Sequence, residues 1–255
     1  MVEMAVTTPR REEAACDPSV MRVLHKWQHL VAVRQHSHLA RREEKRRELA
    51  AKRDERATRE ALLAFATAGS HRQRVLLVRH GEALHNAQWR RHSSTLDTPL
   101  TERGCEQAQR LAGSPALTQA TLLVVSPLTR AVQTAVHIFG AHPTCRTCIC
   151  PLHSERVDDE RAACNHGSPK TTLLARFPFL CTWEGLDDLP EQWWPTAKSD
   201  AGDRWRTERV PAFLTWLGSQ PESKVVVVGH GAFFSDTRLA GRMMSNCEIV
   251  VMNDP

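Results

Sequence analysis

Three short apolar runs set the frame of this chain. Val75–Val78, Leu122–Val125 and Val225–Val228 are each four consecutive apolar residues, and each stops abruptly at polar or glycine residues. Runs of this length without polar alternation predict strands buried on both faces, as in a parallel sheet. Helical spacing fills the intervals. Thr101 is placed to cap a helix through Ala108 and Leu111 toward Gly113, with Gly104 expected to weaken its first turn. Val132, Ala135, Val136 and Phe139 share one helical face after the second run. A helix is expected from Phe233 to Met244 and a last strand from Glu248 to Met252, whereas polar Gln88–Asp97 predicts a loop.

Residues 1–70 follow a different pattern. Met21–Ala40 mixes apolar residues with histidine, and Arg41–Glu60 is a dense alternation of Arg, Lys, Glu and Asp. No proline or glycine interrupts Val20–Ala68, which predicts a long helix or helical hairpin. Its charged half is polar all round, with i,i+4 pairs such as Glu43–Arg47, and so reads first as a solvated arm and second as a surface for a protein partner. Ala68-Gly69-Ser70 predicts a linker, giving a helical extension over 1–70 and an α/β domain over 71–255.

At 255 residues the chain suffices for one medium domain with an appendage. The net charge of +5 favours anionic ligands in general without pointing to nucleic acid. No apolar run approaches the roughly 20 residues that span a bilayer. The first residues lack an apolar signal region and carry glutamates, so the eight cysteines read as reduced thiols and the expected compartment is the cytoplasm.

The chemistry sits where the apolar runs end. Arg79, His80 and Gly81 follow the first, and the carboxyl ends of strands in open α/β sheets border the ligand crevice. A guanidinium offers a planar fork for phosphate, a neutral imidazole is a nucleophile near pH 7, and glycine lets backbone approach a ligand. After the second run, Ser126-Pro127-Leu128-Thr129-Arg130 places Arg130 at a helix N-terminus, where backbone N–H groups and the helix dipole favour an anion. The third run ends in Gly229-His230-Gly231. Two histidines and two arginines at the ends of buried strands predict a phosphoryl site. There is no Gly-x-x-x-x-Gly-Lys-[Ser/Thr] nucleotide loop.

Leu-Val-Arg-His-Gly-Glu at 77–82, Ser-Pro-Leu-Thr-Arg-Ala-Val-Gln-Thr-Ala at 126–135 and Gly-His-Gly at 229–231 resemble, in this order, the histidine phosphatase superfamily, also called phosphoglycerate mutase-like. The resemblance covers about residues 74–255. Cys164-Asn165-His166-Gly167-Ser168-Pro169 and Phe177-Pro178 are similar to the plant and fungal phosphoglycerate-mutase-like phosphatases. The resemblance implies a three-layer α/β/α sandwich with a mostly parallel sheet, and a histidine that is phosphorylated and then hydrolysed without metal or other cofactor. It makes His80 the nucleophile, with Arg79 and Arg130 holding the phosphate and His230 stabilising the transferring group. Asn86 matches a polar position near the phosphate. Glu155, in Pro151-Leu152-His153-Ser154-Glu155, matches the proton donor, with Glu82 and Asp158 as competing carboxylates. The implied activity is that of a histidine acid phosphatase-like phosphomonoesterase on a small-molecule ester. A phosphoglycerate mutase-type transferase and an inactive scaffold binding partners through residues 1–70 are the alternatives. The Leu84-His85-Asn86 and Trp89-Arg90-Arg91 stretches depart from the mutases.

Other signals are weaker. Cys145, Cys148 and Cys150, with His142 and His153, have partial zinc-ligand spacing, but the central strand that the resemblance implies through Ile149–Leu152 would turn alternate cysteines apart. Cys16–Arg22 has a Cys-x5-Arg spacing without the glycines of a phosphate cradle. Trp183, Trp193, Trp194 and Trp205 read as core or lid packing.

Overall fold

The computed structural model describes residues 73–157, 162–201 and 203–252, together with Glu44, Lys45, Glu48, Leu49 and Lys52. The chain divides into two units, Met1–Lys52 and Arg53–Pro255. In the first, the five described residues are helical, and Lys52 Nζ meets Glu48 Oε1 one turn away at 2.7 Å. The long helix expected over Val20–Ala68, the linker at 68–70 and the Cys16 spacing otherwise lie outside the described residues.

The second unit is built on β1 (Arg74–Arg79), β2 (Leu122–Val125), β3 (Arg146–Ile149), β4 (Lys224–Gly229) and β5 (Ile249–Val251). Its helices, in chain order, are α1 (Leu84–Ala87), α2 (Trp89–His92), α3 (Glu102–Gln109), α4 (Pro115–Thr118), α5 (Thr129–Phe139), α6 (Lys170–Arg176), α7 (Val210–Gly218) and α8 (Gly231–Phe234). The strands form one sheet in the order β3-β2-β4-β1-β5, parallel except for β5, which runs antiparallel to β1.

Alternation along each strand explains the two faces. Leu76, Val78, Leu123, Val125, Val226 and Val228 pack with Val132, Ala135 and Ile138 of α5 on one side. Val75, Leu77, Leu122, Val124, Val225 and Val227 pack with Trp205, Phe213 and Leu217 on the other. Each of these strand residues is covered on either face by helix, so the α/β/α sandwich follows directly from the unalternating apolar runs. Full burial of each large side chain contributes about 1.5–3 kcal/mol relative to exposure. Trp183, Trp193 and Trp205 are buried, as the packing interpretation requires.

Several expectations are corrected. The strand expected through Ile149–Leu152 lies earlier, at Arg146–Ile149, and forms the edge of the sheet rather than its centre. Pro151 has no N–H for the ladder, and Pro151–His153 turns into a short 3-10 helix. The helix expected over Phe233–Met244 is confined to Gly231–Phe234. Asp236 draws in the backbone N–H and guanidinium of Arg238, and Gly241, at φ +67°, closes the turn onto Asp236 O. The terminal strand is shorter than expected, at Ile249–Val251. Gln88–Asp97 contains the single-turn helix α2, and ends on a buried Asp97.

Candidate active site

The carboxyl ends of β1, β2 and β4 converge. His80 N–H donates to Gly229 O at 2.9 Å and Ser126 N–H to Val228 O at 3.1 Å, so the residues just beyond the strands stay registered with one another. This brings His80, Ser126 and His230 side by side. The His80 and His230 ring centroids are 5.2 Å apart, and both rings are almost completely buried.

The tautomer of His80 follows from its partners. Its Nδ1 faces Gly81 O at 2.7 Å, and a carbonyl only accepts, so Nδ1 carries the hydrogen. The lone pair is therefore on Nε2, where Arg130 Nε–H donates at 3.2 Å. Burial, then Arg130 and Arg79, hold the His80 pKa well below its usual value and keep the ring neutral. His230 is held down in the same way, by burial first and Arg130 second. Its Nε2 lies 2.7 Å from Ser126 Oγ, while its Nδ1 is buried with no hydrogen-bond partner.

Arg130 comes from the first turn of α5, and that turn is fixed by buried Asp97, whose carboxylate accepts Thr129 N–H at 2.8 Å and Thr129 Oγ–H at 2.6 Å. Its guanidinium donates from Nη1 to Cys164 O at 2.6 Å and from Nη2 to Asn165 Oδ1 at 3.1 Å. Arg79 donates from Nη1 to Met244 O, and its Nε is buried without a partner. Among the described residues, no carboxylate lies within ion-pair distance of either guanidinium. Both arginines feel Glu155 only through space. A buried and a partly buried cation beside two buried imidazoles, with Arg79 Nε and His230 Nδ1 both unpartnered, leave positive charge that an anion would satisfy.

Glu155 is nearly buried at the edge of this cluster. Its carboxylate accepts N–H groups from Arg156 at 2.8 Å, Phe233 at 3.1 Å and Ala232 at 3.2 Å, and so ties the chain after β3 to the start of α8. Asn86 is exposed, with Oδ1 accepting Ala83 N–H at 3.0 Å and Asn246 Nδ2–H at 3.3 Å. Glu82 bonds Thr101 Oγ–H at 2.9 Å. Asp158, Asp159 and Glu160 lie outside the described residues.

Two glycines also meet a packing requirement. A Cβ on Gly81 would stand 2.5 Å from Gly104 O, and one on Gly104 would stand 2.1 Å from Glu82 O. The pair thus lets α3 cross the strand-end loop at backbone contact; Gly104 is a packing requirement, while Thr101 Oγ still caps α3 at 3.0 Å.

Three contributors went unassigned in the sequence. Ser126 and Asn165 hold His230 and Arg130; both lie in stretches that stood out only as motifs. His85 enters the cluster with its ring 6.1 Å from His80 and its Nδ1 2.6 Å from Thr98 Oγ1. Burial, then Arg130 and Arg79, push its pKa down to about 3. The cysteine-rich edge does not converge: His153 turns to Val228 O at 3.1 Å and packs on Phe213, while Cys145 and Cys148 join opposite core clusters. Among the described residues, no group of three or more His, Cys, Asp or Glu side chains is gathered as a metal site.

A phosphoglycerate mutase-like protein of Arabidopsis thaliana is 24% identical over 201 residues, covering 64% of this chain and 73% of its own. Among solved structures, the α-ribazole phosphatase of Shigella flexneri is 25% identical, covers 64% of this chain and 76% of its own, and has a TM-score of 0.43. A phosphoserine phosphatase of Entamoeba histolytica, solved with 3-phosphoglyceric acid, is 21% identical over 63% of this chain and 75% of its own, at a TM-score of 0.40. The sequence profile of the histidine phosphatase superfamily (branch 1) matches residues 75–236, which include Arg79, His80, Arg130 and His230. This chain belongs to the histidine phosphatase superfamily.

Proposed function

We propose that the chain is a metal-independent phosphomonoesterase of the histidine acid phosphatase type, working through a phosphohistidine on His80. The observation that carries this reading is a buried Arg130 and a partly buried Arg79 with no carboxylate partner among the described residues, set against an imidazole whose Nε2 bears the lone pair. A phosphoryl group needs an in-line nucleophile, neutralisation of its equatorial oxygens and a proton for the leaving oxygen. In the first step Nε2 of His80 forms the P–N bond as the P–O bond to the alcohol breaks. Nδ1–H, donating to Gly81 O, supports the positive charge that the ring acquires. Arg79, Arg130 and His230 receive the phosphoryl oxygens, and Asn86 borders the same ester.

Glu155 is assigned the proton. It protonates the departing alkoxide, then takes a proton from water as that water attacks phosphorus and the P–N bond breaks, which restores neutral His80. Its contacts to α8 give it a second task, so the acid role is tested by a contrast between substrates rather than by total loss. Residues 1–70 are placed outside the chemistry, as an extension available to a protein partner.

The direct test follows the fate of the phosphoryl group, with a simple phosphomonoester supplied alone and then with 3-phosphoglycerate as acceptor. Orthophosphate equal to the alcohol released in both reactions supports the hydrolase. Recovery of the phosphoryl group on the acceptor would make the chain a transferase, and no turnover by folded protein would make it a scaffold.

A further inference from the structure

Four rings lead outward from the reacting centre in order of increasing exposure: His230 at 0%, His80 at 1%, His85 at 7% and Trp89 at 54%. Successive centroids are 5.2, 6.1 and 6.3 Å apart, with His85 and Trp89 meeting edge to face at 71°. Trp89 lies on the single-turn helix α2 and belongs to neither core cluster. Isolated exposed apolar residues need no explanation, but an indole held out at the end of a ring series that starts at the nucleophile is a different matter.

A second apolar group borders the same cluster. Met243 is 59% exposed, and its sulfur lies 2.8 Å from where a Gly231 Cβ would stand, a position also 2.9 Å from Arg79 Nε. The ring between nucleophile and indole carries no charge, because the His85 pKa is pushed down to about 3. It supplies no cation for a second anionic group on the substrate. Arg130, held beside His80 Nε2, is assigned to the phosphoryl group itself.

We infer that the alcohol portion of the substrate is planar and apolar, an aromatic group that rests on Trp89 as the phosphoryl group reaches His80. The inference rests on the phosphomonoesterase reading and names its substrate class. Trp89 is then a specificity residue: it touches the leaving group and takes no part in bond-making.

The test compares 2-phenylethyl phosphate with ethyl phosphate, whose alkoxides are similar in basicity, and adds 3-phosphoglycerate. The ratio of kcat/KM for the phenylethyl over the ethyl ester should be about tenfold, expressed in KM, and should collapse toward one in Trp89→Ala while surviving in Trp89→Phe. A ratio near one in the native chain, an unchanged ratio in Trp89→Ala, or a preference for 3-phosphoglycerate would overturn the inference. The corresponding phosphonates, measured by calorimetry, read the same preference without turnover. Preferential binding of the phenylethyl phosphonate, dependent on Trp89, with no ester hydrolysed would overturn the phosphatase reading alone; absence of that preference would overturn this one.

Discussion

Two polar regions of the α/β unit look alike in composition and differ in electrostatics. At the outer edge of β3, Arg146 donates to Glu184 at 2.7–3.0 Å, to Glu222 at 3.1 Å and to Gln220 at 3.0 Å. A cavity of about 340 Å³ opens there, lined by Arg146, Cys148, Cys150, Glu184 and Trp216 among others. At the carboxyl ends of β1, β2 and β4, the arginines are more deeply buried and, among the described residues, no carboxylate meets them directly. The edge has cavity volume, cysteines and a matched cation. The strand-end cluster has unmatched buried charge, which is costly to keep unless a ligand or a reaction uses it. Charge balance separates the two.

The largest effect that would break this comparison is at His80. His80→Ala should lower turnover by at least about a thousandfold, with the fold kept, as removal of a nucleophile does. Comparable activity in the variant, measured on the same ester, would return attention to the β3 edge. Next, Glu155→Gln should slow an alkyl phosphate about a hundredfold, whereas an aryl phosphate with an acidic phenol should lose no more than about tenfold, because its departure needs little protonation. Equal losses would reduce Glu155 to its contacts with Ala232 and Phe233.

The pH dependence sharpens the contrast. His80 acts as the neutral ring, and its pKa is held well below 6.5 by burial, Arg130 and Arg79. Its protonation should therefore produce no inflection near pH 6.5 in kcat/KM, and the acid limb that it sets should lie well below that pH. Stability has a related signature. His85 and His153, each lowered to about 3, bind fewer protons folded than unfolded between roughly pH 3 and 6.5. Their contribution is complete above 6.5 and erodes as the pH falls toward 3. Thermal unfolding should shift steadily downward over that window.

The smallest effect is expected at the edge. Arg146→Ala should leave kcat/KM within about twofold and cost about 1 kcal/mol or less, since its ion pairs are partly exposed. Activity should also survive chelation by EDTA. Loss in either experiment would give the β3 edge a functional part that the strand-end account denies.

The sequence makes the sheet legible because burial on both faces leaves an unalternating apolar run, and Val75–Val78 and Val225–Val228 carry no competing pattern. Arg79, His80, Arg130 and His230 are readable for the same reason: each stands where such a run ends. The short helix α8 is less readable, because Phe233–Met244 has helical composition while the stop comes from the Asp236–Arg238 contact and the reversal at Gly241. The packing role of Gly104 is not legible because its neighbour, the carbonyl of Glu82, is distant in sequence. His85 and Asn165 acquire their places only through contacts across loops, with Thr98 and Arg130, that no local spacing encodes.

The central claim is the covalent intermediate on His80, and trapping it is the most direct measurement. Native chain mixed with a phosphomonoester and quenched in alkali should yield a phosphoramidate on the peptide containing His80, attached at Nε2, with formation and decay matching turnover. Turnover without that adduct, or an adduct that persists in His80→Ala, would contradict the account.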